Sequence, residues 1–263
     1  MKTIAIIPAR MSSTRFPGKP LAKILGIPML GHVYARSVMS RLLNDVYIAT
    51  CDKEIEEYAR SMGAKAIMTK DTHERASDRA AEAVLKIERE NNSKVDIVVM
   101  IQGDEPMLVP EMIDLAIAPM IKFPEIEVVN LMAELEDPRE FEDTNQIKVV
   151  VDEDSFALYF SREPVPSRKK SPKAVRMLKQ VCVIPFRRDF LLKFNELKPT
   201  PLEIAESVDM LRVLEHGHRV KMVLSKYQTH SVDTLEDLKR VEGLLERDPL
   251  FLKYKDNLAG IKR

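Results

Sequence analysis

The run Ile97-Val98-Val99-Met100-Ile101 offers no polar residue that could face water. A strand that is apolar on both sides has to be covered on both faces, the condition met by a parallel sheet flanked by helices. The neighbouring sequence supplies the partners. Ile4-Ala5-Ile6-Ile7 and Asp45-Val46-Tyr47-Ile48-Ala49 read as further strands, with another over Lys65 to Met68. Amphipathic stretches separate them: Met29 to Met39, Glu54 to Ser61 and Ser77 to Glu90 carry helical spacing, with Asp52 and Ser77 placed as N-caps. Strand-helix-strand alternation of this kind specifies an α/β fold, a Rossmann-like open and mostly parallel sheet with helices on both faces. Such sheets take ligands in the crevice at the carboxyl ends of their strands.

The second half is less regular. Glu127 to Ala133, Ile147 to Asp152 and Val181 to Phe186 are strand candidates, and Pro201 to Leu214 and Thr234 to Leu245 are helix candidates. Arg168 to Lys173 mixes charge with Ser and Pro and reads as an exposed flexible loop. The expected organisation is one α/β domain with a smaller inserted lobe.

Composition excludes several classes. Basic and acidic residues balance at 41 each, so nothing draws the chain as a whole to nucleic acid or to an anionic membrane. No apolar stretch approaches the roughly 20 residues a membrane helix needs, and the apolar start is too short for a signal peptide. The 2 cysteines, Cys51 and Cys182, lack metal-ligand spacing, which suits a reducing cytoplasm. Cys182, within an apolar run, reads as a small core residue.

Three clusters carry chemistry. Directly after the first strand, Pro8-Ala9-Arg10-Met11-Ser12-Ser13-Thr14-Arg15-Phe16-Pro17-Gly18-Lys19-Pro20 gathers cations, hydroxyls and a glycine. A loop there can present N–H groups and positive charge to a triphosphate, or it can be a solvated basic turn. The spacing is neither that of a Walker A loop nor that of a GxGxxG fingerprint. Gln102-Gly103-Asp104-Glu105-Pro106 follows the strongest strand. A carboxylate in that place can hold a hard cation such as Mg²⁺ between phosphates, although Gly-Asp and Glu-Pro are also ordinary turn dipeptides. In Ser231-Val232-Asp233-Thr234, Asp233 offers a second metal ligand, or Thr234 simply caps the last helix. The pair His216 and His218 closes a helix, where cations and glycine are expected.

Together with Tyr159-Phe160-Ser161-Arg162, Pro201-Leu202-Glu203, Leu211-Arg212-Val213-Leu214 and Val232-Asp233-Thr234, these clusters resemble the CMP-Kdo synthetase family in order and spacing along nearly the whole chain. Kdo is the acid sugar 3-deoxy-manno-octulosonate. The resemblance implies a single cytidylyltransferase domain over 1–263 in which the inserted lobe serves the sugar side and dimerisation, with 246–263 as an extension past the usual end. It implies a homodimer that joins CTP to an acidic 2-keto sugar with Mg²⁺. By the same resemblance Pro8, Ala9, Arg10, Ser13, Thr14, Arg15, Lys19, Arg75, Ser77 and Asp104 would bind CTP. Arg10, Lys19, Asp104 and Asp233 would be catalytic, with the two aspartates holding the metal. Arg79, Gln102, Arg162, Gln180, Glu203 and Glu206 would meet the sugar.

Departures cluster on the sugar side. The family's Ser-Gly-Thr stands here as Arg75-Ala76-Ser77, and its His-Leu-Gly-Ile-Tyr-Gly-Tyr strand as Gln180-Val181-Cys182-Val183-Ile184-Pro185-Phe186. A histidine and two phenolic hydroxyls are thereby replaced, which makes a changed acceptor (another ulosonate, an amino-sugar acid or a phosphonate) an alternative to Kdo. A nucleotide-binding protein without catalysis is the remaining alternative.

Overall fold

The computed structural model describes residues 1–12, 16–135, 137–167, 176–256 and 258. The loop expected over Arg168 to Lys173 lies outside the described residues, as do Ser13, Thr14 and Arg15. The chain forms two compact units: Met1–Asp114 with Thr229–Arg263, and Leu115–Gln228 inserted between them in sequence.

In the first unit, β1 (Thr3–Pro8) leads through a hairpin of β2 (Lys23–Ile24) and β3 (Ile27–Pro28) into α1 (Met29–Val38). Then come β4 (Asp45–Thr50), α2 (Lys53–Ser61), β5 (Lys65–Met68), α3 (Ala76–Asn91), β6 (Ile97–Ile101) and α4 (Pro110–Lys122), which runs on into the second unit. The four long strands are all parallel, in the order β6-β1-β4-β5. Every residue of β6 is buried, as its unbroken apolar run requires. Because β4 and β6 lie on opposite sides of β1, successive crossovers diverge there. That divergence opens a crevice between the loops after β1 and β6, the place where such sheets bind ligands.

The second unit contains β7 (Val129–Glu134), α5 (Pro138–Glu142), β8 (Lys148–Val151), β9 (Ala157–Ser161), β10 (Leu178–Val181), β11 (Val183–Arg187), α6 (Arg188–Glu196), α7 (Pro201–Glu206), α8 (Asp209–Glu215) and β12 (Lys221–Ser225). Five of these strands form a mixed sheet ordered β12-β7-β10-β8-β9, in which only the β12–β7 pair is parallel. The chain then returns to the first unit as α9 (Leu235–Leu245).

Several local expectations are corrected. The strand expected over Val181 to Phe186 is two strands interrupted at Cys182, which is half-buried rather than a core residue. The helix expected over Pro201 to Leu214 is two, because Ser207 takes a left-handed conformation (φ 52°) that ends α7. Ser77 lies inside α3, whose N-cap is Arg75. Asp52 does stand at the N-cap of α2, but its side chain makes no cap bond. Thr234 does cap α9, in a reciprocal box with Asp237. His216 and Gly217 end α8 as expected, and His216 bonds the Lys198 carbonyl.

Candidate active site

The loop after β1 is anchored at both ends. The Ala9 amide donates to the Ala49 carbonyl at 2.9 Å, and the Met11 amide donates to Asp52 Oδ2 at 2.8 Å. The carboxylate at the start of α2 thus serves the loop after β1 instead of its own helix. Gly18 closes the loop by donating to Met11 O at 3.1 Å, with φ of 71°. This is the left-handed region where glycine carries no Cβ penalty. A 3-10 turn over Lys19–Leu21 follows immediately.

That turn places the Lys19 ammonium between two carboxylates. Nζ lies 3.1 Å from Asp104 Oδ2 and 3.0 Å from Asp233 Oδ1. Burial by itself would lower the Lys19 pKa, but the attraction and hydrogen bonds of Asp104 and Asp233 outweigh it and hold the group above the ordinary lysine value. The two acidic loops are also joined through backbone, with the Val232 amide donating to the Asp104 carbonyl at 3.0 Å. Residues far apart in sequence therefore meet within one unit. Asp104 and Asp233 offer hard oxygen donors already grouped about one positive charge, a donor set that fits a small divalent cation completed by phosphate and water. No cluster of three or more acidic, His or Cys ligands occurs among the described residues.

Beside this triad lies a cavity of about 680 Å³. Pro8, Ala9, Arg10, Lys19, Arg75, Arg79, Gln102 and Asp104, each singled out from the sequence, line it. Ser12, from the cluster after β1, lines it as well, as do His73 and Glu74, which open the stretch His73 to Arg79 that resembles the family's His-x-Ser-Gly-Thr-x-Arg segment. Ser77 is fully buried in the first turn of α3 and is not among the lining residues. Arg79 is 2% exposed; its Nη1 donates to Thr69 Oγ1 and to the Lys70 carbonyl, while Nη2 has no hydrogen-bond partner among the described residues. Arg79 therefore keeps one buried guanidinium N–H unpartnered among the described residues beside the cavity. His73 and Lys86 flank Glu82, whose pKa falls to about 2: burial raises it, but the bonds from Lys86, the Lys70 amide and His73 prevail.

Arg162, Gln180, Glu203 and Glu206 belong to the second unit. Glu206 is a junction there. Oε1 accepts from Tyr159 Oη at 3.1 Å and Ser161 Oγ at 3.0 Å, and Oε2 accepts from the Arg162 amide at 2.7 Å. Arg162 Nε donates to the Glu206 carbonyl at 2.6 Å and Nη1 to the Thr144 carbonyl at 2.9 Å, which leaves Nη2 unengaged among the described residues. Lys148, fully buried, donates to the carbonyls of Asp143, Gln146 and Arg162, fixing the strand end that carries Arg162. Glu203 is 0% exposed and forms a two-point pair with Arg212, with Nε to Oε2 at 2.7 Å and Nη2 to Oε1 at 2.5 Å. Gln180 Nε2 donates to Oδ1 of the fully buried Asn130 at 2.5 Å, and Asn130 Nδ2 donates to the Val181 carbonyl at 2.7 Å. Lys148 and Asn130 were not legible in the sequence, since a lone lysine or asparagine in a strand carries no pattern.

A parallel sheet with cations on the loop after its central strand, and paired carboxylates about a lysine at the switch point, defines the nucleotidyltransferase class. The cytidylyltransferase family model matches residues 4–226. The 3-deoxy-manno-octulosonate cytidylyltransferase of Geobacter metallireducens is 42% identical over 257 residues, covering 94% of this chain and 99% of that protein. The one from Solibacter usitatus is 42% identical over 245 residues, covering 93% and 95%. Among solved structures, a CMP:2-keto-3-deoxy-manno-octonic acid synthetase complexed with CTP superposes with a TM-score of 0.86 at 36% identity, covering 94% of this chain and 99% of that one. The chain belongs to the cytidylyltransferase family, whose chemistry is CTP-dependent nucleotidyl transfer. Enzymes of this kind generally need a divalent metal. No helix among the described residues is long and apolar enough to cross a membrane.

Proposed function

We propose that this protein transfers CMP from CTP to the anomeric hydroxyl of Kdo or a closely related 2-keto acid sugar. The observation that carries this reading is the Lys19 ammonium held by Asp104 and Asp233 at the mouth of a cavity lined by Arg10, Arg75 and Arg79. The sugar oxygen would attack the α-phosphorus in line, forming the new P–O bond. The bond from the α-phosphorus to the bridging oxygen breaks, and its electron pair leaves with pyrophosphate. The hydroxyl proton passes to solvent. Arg10, Arg15 and Lys19 would lie along the phosphates and offset charge on the departing pyrophosphate. Pro8, Ala9, Ser13 and Thr14 would complete the phosphate side, and Arg75 the nucleoside side. Asp104 and Asp233 would hold Mg²⁺, which supplies Lewis-acid stabilisation of phosphate charge when bound. No enzyme nucleophile is required.

On the acceptor side, we assign Arg79 and Gln102, which line the cavity of the first unit, to the acid sugar, and the family resemblance adds Arg162. By the same resemblance Gln180, Glu203 and Glu206 are assigned to the acceptor, with Glu203 acting through its pair with Arg212. The Gln180–Asn130 amide pair, standing where the family carries a histidine, favours a second reading in which the acceptor is a modified ulosonate. We further take the protein to act in the cytoplasm as a homodimer supplying an activated sugar for lipopolysaccharide. Neither nucleic acid nor a membrane enters this reading.

The test is pyrophosphate release with CTP, Mg²⁺ and a panel of acid sugars, with UTP, ATP and GTP as controls. Release with CTP and Kdo supports the first reading. Release confined to another ulosonate or an amino-ulosonate moves the acceptor and keeps the mechanism. Silence with every acceptor while CTP binds would leave an acceptor outside the panel or a nucleotide binder without catalysis.

A further inference from the structure

The residues beyond α9 fold back onto α1. Arg36, 1% exposed, donates through Nε to the Tyr254 hydroxyl at 3.0 Å and through Nη2 to Asp248. Its Nη1 donates to the Leu108 and Met107 carbonyls at 3.3 and 3.4 Å. Tyr254, also 1% exposed, sits 2.8 Å from His32 Nδ1, and His32 Nε2 lies 2.9 Å from the Ile24 carbonyl. A carbonyl only accepts, so Nε2 carries the ring proton, Nδ1 accepts from the Tyr254 hydroxyl, and that hydroxyl oxygen accepts from Arg36. Every link in the chain is then satisfied in one direction.

The hydrogen bonds of this network end on two of the three loops that hold the paired carboxylates and the lysine, and the third, which carries Asp233, is joined to the Asp104 loop by the Val232 amide. Ile24 belongs to β2, just past Lys19; Met107 and Leu108 follow Asp104. The same segment packs into an apolar cluster with Val232, the residue before Asp233, and with Ile24, Met29, Leu245 and Phe251; Phe16 and Met107 lie at its edge. Leu25 is tied in addition to α9, its amide donating to Glu242 Oε1 at 3.0 Å.

We propose that the segment Asp248–Tyr254 is a positioning clasp for the active site, in which the Tyr254 hydroxyl, through Arg36 and His32, sets the placement of the loops carrying Lys19 and Asp104 and, through the Val232 amide bonded to the Asp104 carbonyl, that of Asp233. The kinetic half of this proposal rests on the function given above; the structural half does not. Displacing a reacting group by about 1 Å can cost as much as 10²-fold in rate, so a clasp of this kind acts on kcat.

Tyr254→Phe removes the hydroxyl and keeps the ring. The full-length variant is compared with wild type by hydrogen exchange, by its melting temperature and by steady-state kinetics with CTP. The expected result is a folded protein with exchange about 10-fold faster at 104–108 and 230–234. Exchange at 45–50 and 65–68 is expected to stay unchanged, with kcat lowered about 10-fold and KM for CTP within about twofold. Wild-type exchange with wild-type kcat overturns the proposal. So does a uniform rise in exchange with a lowered melting temperature and intact kcat, which would mark simple packing. Selective exchange without loss of kcat overturns the positioning role. Should Tyr254→Phe fail to fold, Asp248→Asn, at a side chain 12% exposed, is measured in the same way, and the same results support or overturn the clasp. If wild type itself releases no pyrophosphate with any acceptor, the proposed function fails, while the exchange pattern still decides whether the clasp exists.

Discussion

The residues singled out from the sequence are placed differently in the two units. In the first, the functional side chains stand at strand ends on short loops, and the backbone does the placing: β1 delivers Arg10 and Lys19, β6 delivers Gln102 and Asp104. In the second, charged and amide groups are built into the fold itself. Lys148, Glu203 and Asn130 are each 0% exposed and are satisfied by partners within the fold. A site made from strand ends keeps its donors available for a ligand. A site supported by buried polar networks is shaped by them, and loses shape when one member is removed. Substitutions at the strand-end groups Lys19 and Asp104 should therefore act on rate, and those at the buried pairs of the second unit on stability.

The largest expected effect is on stability. Arg212→Ala leaves the Glu203 carboxylate buried without its two-point partner, which costs about 3–5 kcal/mol. Urea unfolding measures this, and a change below about 1 kcal/mol would mean that the pair is not the support described. Next comes Lys19→Met, expected to lower kcat by about 10²-fold while the melting temperature moves little. A large loss of stability with intact kcat would reverse the contrast between the units.

A pH effect follows from His32, which is fully buried with its pKa lowered to about 4: burial lowers it and Arg36 adds to this, against opposing bonds to backbone carbonyls and the Asp248 charge. The unfolded chain then binds a proton that the native protein refuses between about pH 6.5 and 4. Stability should therefore fall as pH drops through that window, by at most about 1.4 kcal/mol per pH unit. Denaturant titrations at pH 7 and pH 5 check it, and His32→Gln should flatten the difference. The smallest effect is expected from Asp52→Asn, which weakens the anchor of the Met11 amide. A rise of a few-fold in KM for CTP would mark it, from the loss of roughly 1 kcal/mol in a charge-assisted hydrogen bond.

The same contrast explains what the sequence revealed. The four parallel strands and their helices were legible because each is specified by its own apolar periodicity, and the strand-end loops could be read directly after them. The meeting of Lys19 with Asp104 and Asp233 required the resemblance to a family, since nothing local joins segments so far apart. Asp52 looked like a helix cap because the cap position is local, while its bond to Met11 crosses the sheet. The break at Ser207 depends on a backbone conformation that serine adopts rarely, and no glycine announced it. Asn130, Lys148 and the Arg36–Tyr254 network are long-range pairings, invisible to any periodicity.

The most direct test of CMP transfer at this site is to identify the product of CTP, Mg²⁺ and Kdo by mass spectrometry, for wild type and Asp104→Asn side by side. The expected result is a CMP–sugar conjugate from wild type, at least about 10²-fold less from a folded Asp104→Asn, and pyrophosphate equal to the conjugate formed. Pyrophosphate without conjugate, or equal product from both proteins, would contradict it.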